Sequence, residues 1–305
     1  MSVLTTNETT AKRSSPQQRR PMKTPYPTWF HIPAAILYIV LFAIPTFASF
    51  YFSLTRWTLF DVHFIGLDNF VQFFQERQLV QGFINTFIYA VVTSGTKVVL
   101  GFALGMLLTG PIIGRGYLRS VIFFPVLVST IGVGLTFSVL LDPFNGVVNQ
   151  VLATIGIQGP GWLTDPKMAL LTVAAIDIWK GLGIATLIYI AGIVAIPQEY
   201  YEAAKVDGAS SWALFRNITL PLARPATVTV VILSLIGGLR SFDLIWATTG
   251  GGPGFSSDVI ASVIYKQYQA GFYGLSTAGN VVLFLVVAAI VVPLNVFLNR
   301  KGAAE

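Results

Sequence analysis

The chain has no cysteine, only two histidines and few charged residues. Without cysteine it has no disulfide, no thiolate nucleophile and no cysteine-ligated metal. His31 and His63 leave almost nothing from which to build a histidine metal cluster or a serine–histidine triad. Charged residues make up 10% of the chain, against about 25% in a soluble domain. So few charges cannot cover a soluble surface of this size, whereas a lipid-facing surface does not need them.

Hydrophobic residues, in contrast, make up 54% of the sequence. A helix needs about 20 predominantly apolar residues to cross a bilayer, and six segments qualify. They run over about residues 30–54, 83–109, 118–141, 168–196, 222–247 and 275–298. The composition therefore predicts an all-α membrane protein of about six transmembrane helices. Residues 1–28 are polar and predict a disordered tail, residues 29–300 a membrane domain, and residues 301–305 a short C-terminal tail.

The positive residues predict the orientation of these spans. Of the 19 Lys and Arg residues, twelve fall in the N-terminal tail, between spans two and three, between spans four and five, and at the C-terminus. Only Arg56, Arg77, Lys167 and Lys266 fall on the other side. Because cytoplasmic segments carry the excess of Lys and Arg, both termini are expected in the cytoplasm. The even number of spans agrees with this expectation.

Glycines recur at a spacing of four residues in and after the second span. The pairs are Gly101 with Gly105 and Gly110 with Gly114. Such spacing lets helix backbones approach closely in lipid. The alternative is that glycine is simply common in membrane helices.

Three of the six spans carry charged residues, each of which costs about 3 kcal/mol at the bilayer centre. Asp177 and Lys180 are three residues apart and share a helix face in span four, and Arg240 and Asp243 have the same spacing in span five. Lys97 stands alone in span two. Such groups either line a polar pathway or form internal salt bridges that hold the bundle together.

The segment between spans four and five predicts two short helices. Pro197 suits a helix start, and residues 198–206 are rich in helix formers. Gly208 permits a turn that needs positive φ. Ser210 or Ser211 can cap a second helix, which we expect to end at residues 220–221.

This segment also carries large apolar side chains on the side expected to be cytoplasmic, namely Trp212, Leu214 and Phe215. Large apolar side chains on a cytoplasmic surface need to be covered by another protein surface. From the residues alone, the segment is either a docking element for a cytoplasmic partner or a loop that folds back on its own bundle.

The same segment resembles the E-A-A-x(3)-G-x(9)-I-x-L-P loop of binding-protein-dependent ATP-binding-cassette (ABC) permeases. Every fixed position is present, at Glu202, Ala203, Ala204, Gly208, Ile218, Leu220 and Pro221. So many fixed positions over twenty residues make the resemblance specific, and it extends over about residues 30–300.

Three further elements resemble sugar-type members of that family. Gly66-Leu-Asp-Asn-Phe70 is similar to their G-L-x-N-[YF] element, and Phe242-Asp243 with Thr249-Gly-Gly-Gly-Pro253 is similar to their F-D…T-x-G-G-P element. The stretch 146–166, with Trp162-Leu-Thr-Asp-Pro166, resembles their third extracytoplasmic segment. The F-D…T-x-G-G-P element is typical of the subunit akin to the larger maltose permease component. The extra N-terminal spans and large insertion of that component are absent, so the match is to the shorter six-span form.

The resemblance implies a type I ABC importer permease fold with a coupling loop at about residues 197–221. In such permeases the loop sits in a cleft of a separate ATPase. Glu202 would then make polar contacts, Gly208 would permit the turn, and small residues would pack at the interface. The residues implied in coupling are Glu202, Ala203, Ala204, Asp207, Gly208, Ala209, Ile218, Leu220 and Pro221.

The implied partners are a second homologous permease subunit, two ABC ATPases and an extracytoplasmic solute-binding protein in a bacterial or archaeal cell membrane. No nucleic-acid partner is implied. The chain has no G-x(4)-G-K-[ST] phosphate loop, so ATP and Mg would be bound by the ATPases and this chain would hold no cofactor.

The resemblance also places substrate contacts on spans four and five. Charged groups with aromatic faces nearby suit hydroxyl-rich sugars. The expected pathway residues are Asp177, Trp179, Lys180, Gly181, Arg240 and Asp243. The competing functions are a secondary transporter or channel that acts without ATP, and a membrane enzyme. The absence of cysteine and of clustered catalytic carboxylates argues against the enzyme, and the sequence does not identify the sugar.

Overall fold

The computed structural model describes residues 28–58 and 60–300. The predicted tails at residues 1–27 and 301–305 lie outside the described residues. Contacts divide the chain at residues 46 and 47 into two units, and each is described by itself.

The described part of the first unit is helical and exposed. A 3₁₀ turn at Thr28–His31 leads into α1 at Ile32–Tyr38, a π turn at Ile39–Ala43 and the start of α2 at Ile44–Ser53. The wide turn stands directly before Pro45, where the N–H of Ile44 donates to the carbonyl of Ile39. Because proline lacks an amide N–H and crowds the preceding turn, π turns and kinks concentrate at such places.

The second unit contains the remaining elements. In chain order they are β1 Thr55–Trp57, β2 Val62–Phe64, α3 Asp68–Gln75, α4 Arg77–Thr109, α5 Arg115–Leu127, α6 Thr130–Leu140, α7 Val147–Thr154 and α8 Ala169–Val194. They continue with α9 Gln198–Val206, α10 Ser211–Leu214, a π turn at Phe215–Thr219, α11 Leu220–Leu222, α12 Arg224–Leu239, α13 Asp243–Thr248, α14 Ile260–Gln269 and α15 Tyr273–Arg300.

The membrane spans predicted from the sequence are present, but two of them are broken. Four helical runs of the described chain, Trp29–Ser53, Arg77–Thr109, Ala169–Val194 and Tyr273–Asn299, are long and apolar enough to cross a bilayer, and two bent pairs bring the number to at most six. The pair α5 and α6 is bent by 96°, and the run Ser211–Leu222 meets α12 at 61°. The all-α membrane fold is therefore confirmed, with spans three and five corrected from straight helices to broken ones.

The breaks follow local backbone chemistry. Pro125 lies inside the last turn of α5 and removes a donor there, and Val128 after it is extended, with ψ 140°. Span five was predicted as one helix over residues 222–247. Instead α12 ends at Leu239, just after the helix-weakening pair Gly237–Gly238, and α13 begins at Asp243.

Helices α4 and α8 run parallel and pack through glycine. A Cβ on Gly101 would lie 2.8 Å from the Cβ of Ala185, and one on Gly105 would lie 2.7 Å from the Cβ of Tyr189. The close approach predicted from glycine spacing is thus confirmed for this pair. In the second pair, Gly110 is instead the C-cap of α4 and Gly114 is the N-cap of α5.

This packing predicts opposite effects for two alanine substitutions in α4. Gly105→Ala should lower the free energy of unfolding by about 1–3 kcal/mol, because the added methyl overlaps α8. Gly95→Ala should leave it unchanged or raise it by up to about 1 kcal/mol, since nothing lies within 4 Å of its Cβ and alanine favours helix. Thermal unfolding of the two purified variants measures both, and equal shifts would contradict the packing assigned to Gly105.

A small hairpin adds two strands that the sequence reasoning did not predict. β1 and β2 pair antiparallel, with Thr55 opposite Phe64. Asn69 follows the hairpin and is buried, and its Nδ2 donates to the carbonyls of Ser53 and Thr55 at 2.9 and 2.8 Å. The asparagine of the G-L-x-N-[YF] element therefore ties the end of α2 to α3.

The end of the bundle that holds the N-terminus of α4 is organised around Asp258. Its carboxylate is fully buried and accepts hydrogen bonds from Lys266 Nζ at 2.7 Å and Ser262 Oγ at 2.7 Å. Asn85 of α4 donates to the carbonyls of Ser256 and Asp258 at 2.9 and 2.8 Å. The glycine-rich stretch before α14 is thereby fixed to α4.

Candidate functional site

A buried ion pair joins α4 to α8 near the middle of both helices. Lys97 Nζ lies 2.7 Å from Asp177 Oδ2, and the two side chains are 9% and 25% exposed. The partners are 80 residues apart in sequence. The prediction that Lys97 stands alone is therefore wrong, and so is the alternative that Asp177 pairs with Lys180 along α8. No Asp177–Lys180 ion pair exists among the described residues.

A glycine makes room for this ion pair. A Cβ on Gly181 would lie 2.7 Å from Lys97 Cε and 2.8 Å from Lys97 Nζ. The glycine that the sequence assigned to the pathway thus lets the lysine side chain cross to Asp177. A buried charge needs such a partner, because an unpaired one costs several kcal/mol in a low-dielectric interior.

Tyr89 lies near both the ion pair and the break in span five. Its ring is fully buried, and its hydroxyl has Asp177 and Ser241 as polar neighbours. The hydroxyl makes no close hydrogen bond within the described residues. Ser241 lies between α12 and α13, so polar groups of three helical regions converge at one level of the bundle.

The other predicted pathway residues lie near this level but form no ion pairs in the described chain. Trp179 is 44% exposed and packs edge-on against Phe137 at 5.5 Å between ring centroids. Lys180 is half-buried, and Arg240 and Asp243 are exposed at the break between α12 and α13. The salt-bridge alternative for Arg240 and Asp243 is therefore wrong, because no bridge joins them.

Three aromatic rings pack together beside Asp243. Phe242 stacks on Trp246 with centroids 5.7 Å apart, and Tyr265 of α14 meets these two rings at 5.3 and 4.8 Å. The sequence reasoning missed Tyr89, Ser241 and Tyr265. The signal that could have found a partner for Lys97 was its charge inside a span, which requires a compensating group.

The segment between spans four and five folds largely as predicted. Pro197 stands at the N-cap of α9, and Gly208 makes the turn with φ 78°. Ser210 caps α10 by accepting a hydrogen bond from the N–H of Ala213 at 3.3 Å. The helical run ends at Leu222, one residue beyond the predicted end at residues 220–221, and includes the π turn at Phe215–Thr219. As at Pro45, the π turn stands directly before the proline, here Pro221.

One side of this segment is anchored to the bundle. The hydroxyls of Tyr201 and Thr219 lie 3.0 Å apart, and Thr219 is buried. Phe215 packs edge-on against Phe102 of α4 with centroids 5.9 Å apart. These contacts join α9 to the π turn and the π turn to α4.

The other side is uncovered within the described chain. Val206 is 88% exposed and Trp212 66% exposed. The exposed residues among those implied in coupling are Glu202, Ala203, Asp207, Gly208, Leu220 and Pro221, while Ala204, Ala209 and Ile218 are half-buried. The segment thus presents an ordered helix and turn with an open apolar face.

Residues 24–301 match the model of one protein family, the binding-protein-dependent transport system inner membrane component. The chain belongs to this family. The permease is 33% identical to the trehalose/maltose transport system permease protein MalF of Thermococcus litoralis, over 84% of its own length and 88% of the relative. It is 28% identical to the multiple sugar-binding transport system permease protein MsmF of Streptococcus mutans, over 89% and 94% of the two chains.

A solved structure agrees with the sequence comparisons. The permease superposes with a TM-score of 0.79 and 26% identity on a chain of a bacterial ABC transporter involved in the import of the acidic polysaccharide alginate. The match covers 89% of the permease and 94% of that chain. The type I ABC importer permease fold and the resemblance to maltose-type permeases are confirmed.

Proposed function

We propose that the permease forms half of the translocation pore of an ATP-driven sugar importer. The observation that carries the proposal is the ordered α9–Gly208–α10 segment, which holds the complete E-A-A motif and leaves Val206 and Trp212 uncovered. Relatives named for maltose, trehalose and multiple sugars support the substrate class.

In this proposal the uncovered face of the segment docks into a cleft of a separate ABC ATPase. Glu202 makes polar contacts there, and Ala203 allows close approach because it is small and exposed. Movement of the ATPases is transmitted through Tyr201, Thr219 and Phe215 to Phe102 of α4. Rigid elements with two arrangements convert such a push into alternating access.

The complex comprises a second permease subunit, two ATPases that bind ATP and Mg, and an extracytoplasmic binding protein. A related alginate transporter is known in complex with a pentasaccharide-bound periplasmic protein, which supports the last of these. This chain contributes no catalysis. Both termini and the α9–α10 segment face the cytoplasm of a bacterial or archaeal cell, as the distribution of Lys and Arg predicts.

We assign the substrate pathway to the level at which α8 meets the α12–α13 break. Trp179 offers an exposed ring, and Lys180 offers an ammonium that has no ion-pair partner in the described chain. Arg240 and Asp243 offer two exposed charged groups. Asp177 and Gly181 support this wall through Lys97. Hydroxyl-rich sugars suit such hydrogen-bonding groups next to aromatic faces.

Uptake by proteoliposomes tests the proposal against a secondary transporter or channel. Vesicles that contain the purified complex and the binding protein should accumulate a labelled sugar only when ATP is present on the side of the α9–α10 segment. Accumulation driven by an ion gradient without ATP would contradict the importer assignment.

A further inference from the structure

A groove of about 730 Å³ opens where the N-termini of α4 and α8 lie side by side. It is at the opposite end of these helices from the α9–α10 segment. Arg77 and Lys167 lie on its rim, and amide side chains of Gln78, Gln81 and Asn85 line it. Neither the transport pathway nor the coupling segment includes these residues.

The lining of the groove holds two cations, Arg77 and Lys167, and no carboxylate of the described chain. Both cations are exposed and form no ion pair within the described chain. The acidic residues next to them in sequence, Glu76 and Asp165, lie outside the lining, where Glu76 accepts from Gln72 Nε2 at 2.7 Å and Asp165 from the backbone N–H of Lys167 at 2.8 Å. Two parallel helices also direct the positive ends of their dipoles to this place.

The groove wall also carries a side-chain amide that can donate. Gln78 lines the groove and makes no side-chain hydrogen bond within the described residues, whereas both amide protons of Asn85 are donated to the carbonyls of Ser256 and Asp258. Two cations and the amide of Gln78 together match an anionic oxygen ligand such as a phosphate.

The remaining wall of the groove is apolar and exposed. Ile88 of α4 and Leu171 of α8 line it with 43% and 52% of their surface uncovered. Ile88 lies about 16 Å beyond Arg77 along α4, at about 1.5 Å per residue, whereas Leu171 stands at the start of α8 close to Lys167. When Arg77 lies at the depth of lipid headgroups, Ile88 therefore lies at the depth of acyl chains.

We propose that this groove binds one anionic phospholipid, with its phosphate at Arg77 and Lys167 and an acyl chain against Ile88 and Leu171. The apolar wall favours a lipid over free phosphate, because a small anion leaves that wall uncovered. The bound lipid anchors α4 to α8 and to the stretch before α14 at the same point.

Native mass spectrometry of the assembled complex with added phosphatidylglycerol tests this. Each of Arg77→Gln and Lys167→Gln should weaken binding about fivefold, since a basic residue near an anionic lipid contributes about 1 kcal/mol. Lys167→Arg should retain binding. Arg56→Gln is the matched control, because Arg56 is exposed on the same predicted side but lies outside the groove, and it should change binding less than twofold.

Two further measurements distinguish a lipid phosphate from free inorganic phosphate as the bound anion. Leu171→Asn should weaken retention of phosphatidylglycerol, and inorganic phosphate at the same concentration should not displace the lipid. The proposal is overturned if Arg56→Gln weakens binding as much as Lys167→Gln, or if phosphatidylcholine is retained as tightly as phosphatidylglycerol. It is also overturned if phosphate competes equally, or if a protein subunit covers the groove so that no lipid binds.

Discussion

Lys97→Met should destabilise the permease by about 3 kcal/mol, because it leaves the carboxylate of Asp177 without its cation inside the bundle. Breaking a buried ion pair from one side costs about 3–5 kcal/mol, and the partial exposure of Asp177 places this case at the lower end. Adding Asp177→Asn to the same chain should recover most of the loss, since no unpaired charge then remains. Thermal unfolding of the purified complex measures the single and the double variant.

Lys180→Met is the matched control for Lys97→Met. Lys180 lies on the same helix as Asp177 and carries the same charge as Lys97, but it has no ion-pair partner in the described chain. We expect a change in the free energy of unfolding within about 0.5 kcal/mol. Equal losses for Lys97→Met and Lys180→Met would refute the pairing described here.

The same variants distinguish a residue that stabilises the bundle from a residue that contacts the substrate. Lys180→Met should raise the sugar concentration needed for half-maximal uptake while the amount of complex stays constant, because we assign Lys180 to the pathway wall. The double variant Lys97→Met with Asp177→Asn should restore the amount of complex. If Lys180→Met leaves the apparent affinity unchanged for every sugar transported, Lys180 is not part of the pathway.

Glu202→Lys should reduce uptake at least about tenfold without reducing the amount of permease in the membrane. Glu202 is exposed on α9, so its replacement leaves the bundle intact. A reversed charge at a docking surface costs more than 1.4 kcal/mol, which corresponds to tenfold. The measurement is ATPase retained per permease on affinity purification, together with uptake.

Asp61→Lys provides the control for charge reversal. Asp61 is 71% exposed and precedes β2, far along the chain from the coupling segment. Uptake and ATPase retention should stay near those of the unaltered permease. If the Glu202→Lys permease retained as much ATPase as the unaltered permease, Glu202 would not be part of the interface.

Local signals made much of the fold predictable. The apolar runs located the spans because lipid requires about 20 such residues for each crossing. Pro197, Gly208 and Ser210 predicted the turns of the coupling segment, since each acts through the backbone next to it. The helix breaks at Val128 and after Leu239 were not predicted. Apolar residues continue through the first break, and at the second Gly237, Gly238 and Arg240 were counted as part of one span. A broken span also needs packing partners to satisfy its backbone.

Long-range pairing explains what the sequence reasoning missed at the site. Spacing along one helix favoured an Asp177–Lys180 pair, but Gly181 opens a path for Lys97 from 80 residues away. The pair Asp258–Lys266 was missed because Asp258 falls in a loop by sequence and is buried in the structure next to α14 and α4. Intramembrane charges predict that a partner exists, but only the packing of helices identifies it.

The most direct test uses a single cysteine in a chain that has none. Ala203→Cys places a thiol on the exposed face of α9. In intact cells this thiol should resist a membrane-impermeant maleimide, react once the membrane is opened, and crosslink to the ATPase in the assembled complex. Labelling from outside in intact cells, with no crosslink to an ATPase, would contradict the assignment of α9 as the cytoplasmic coupling element.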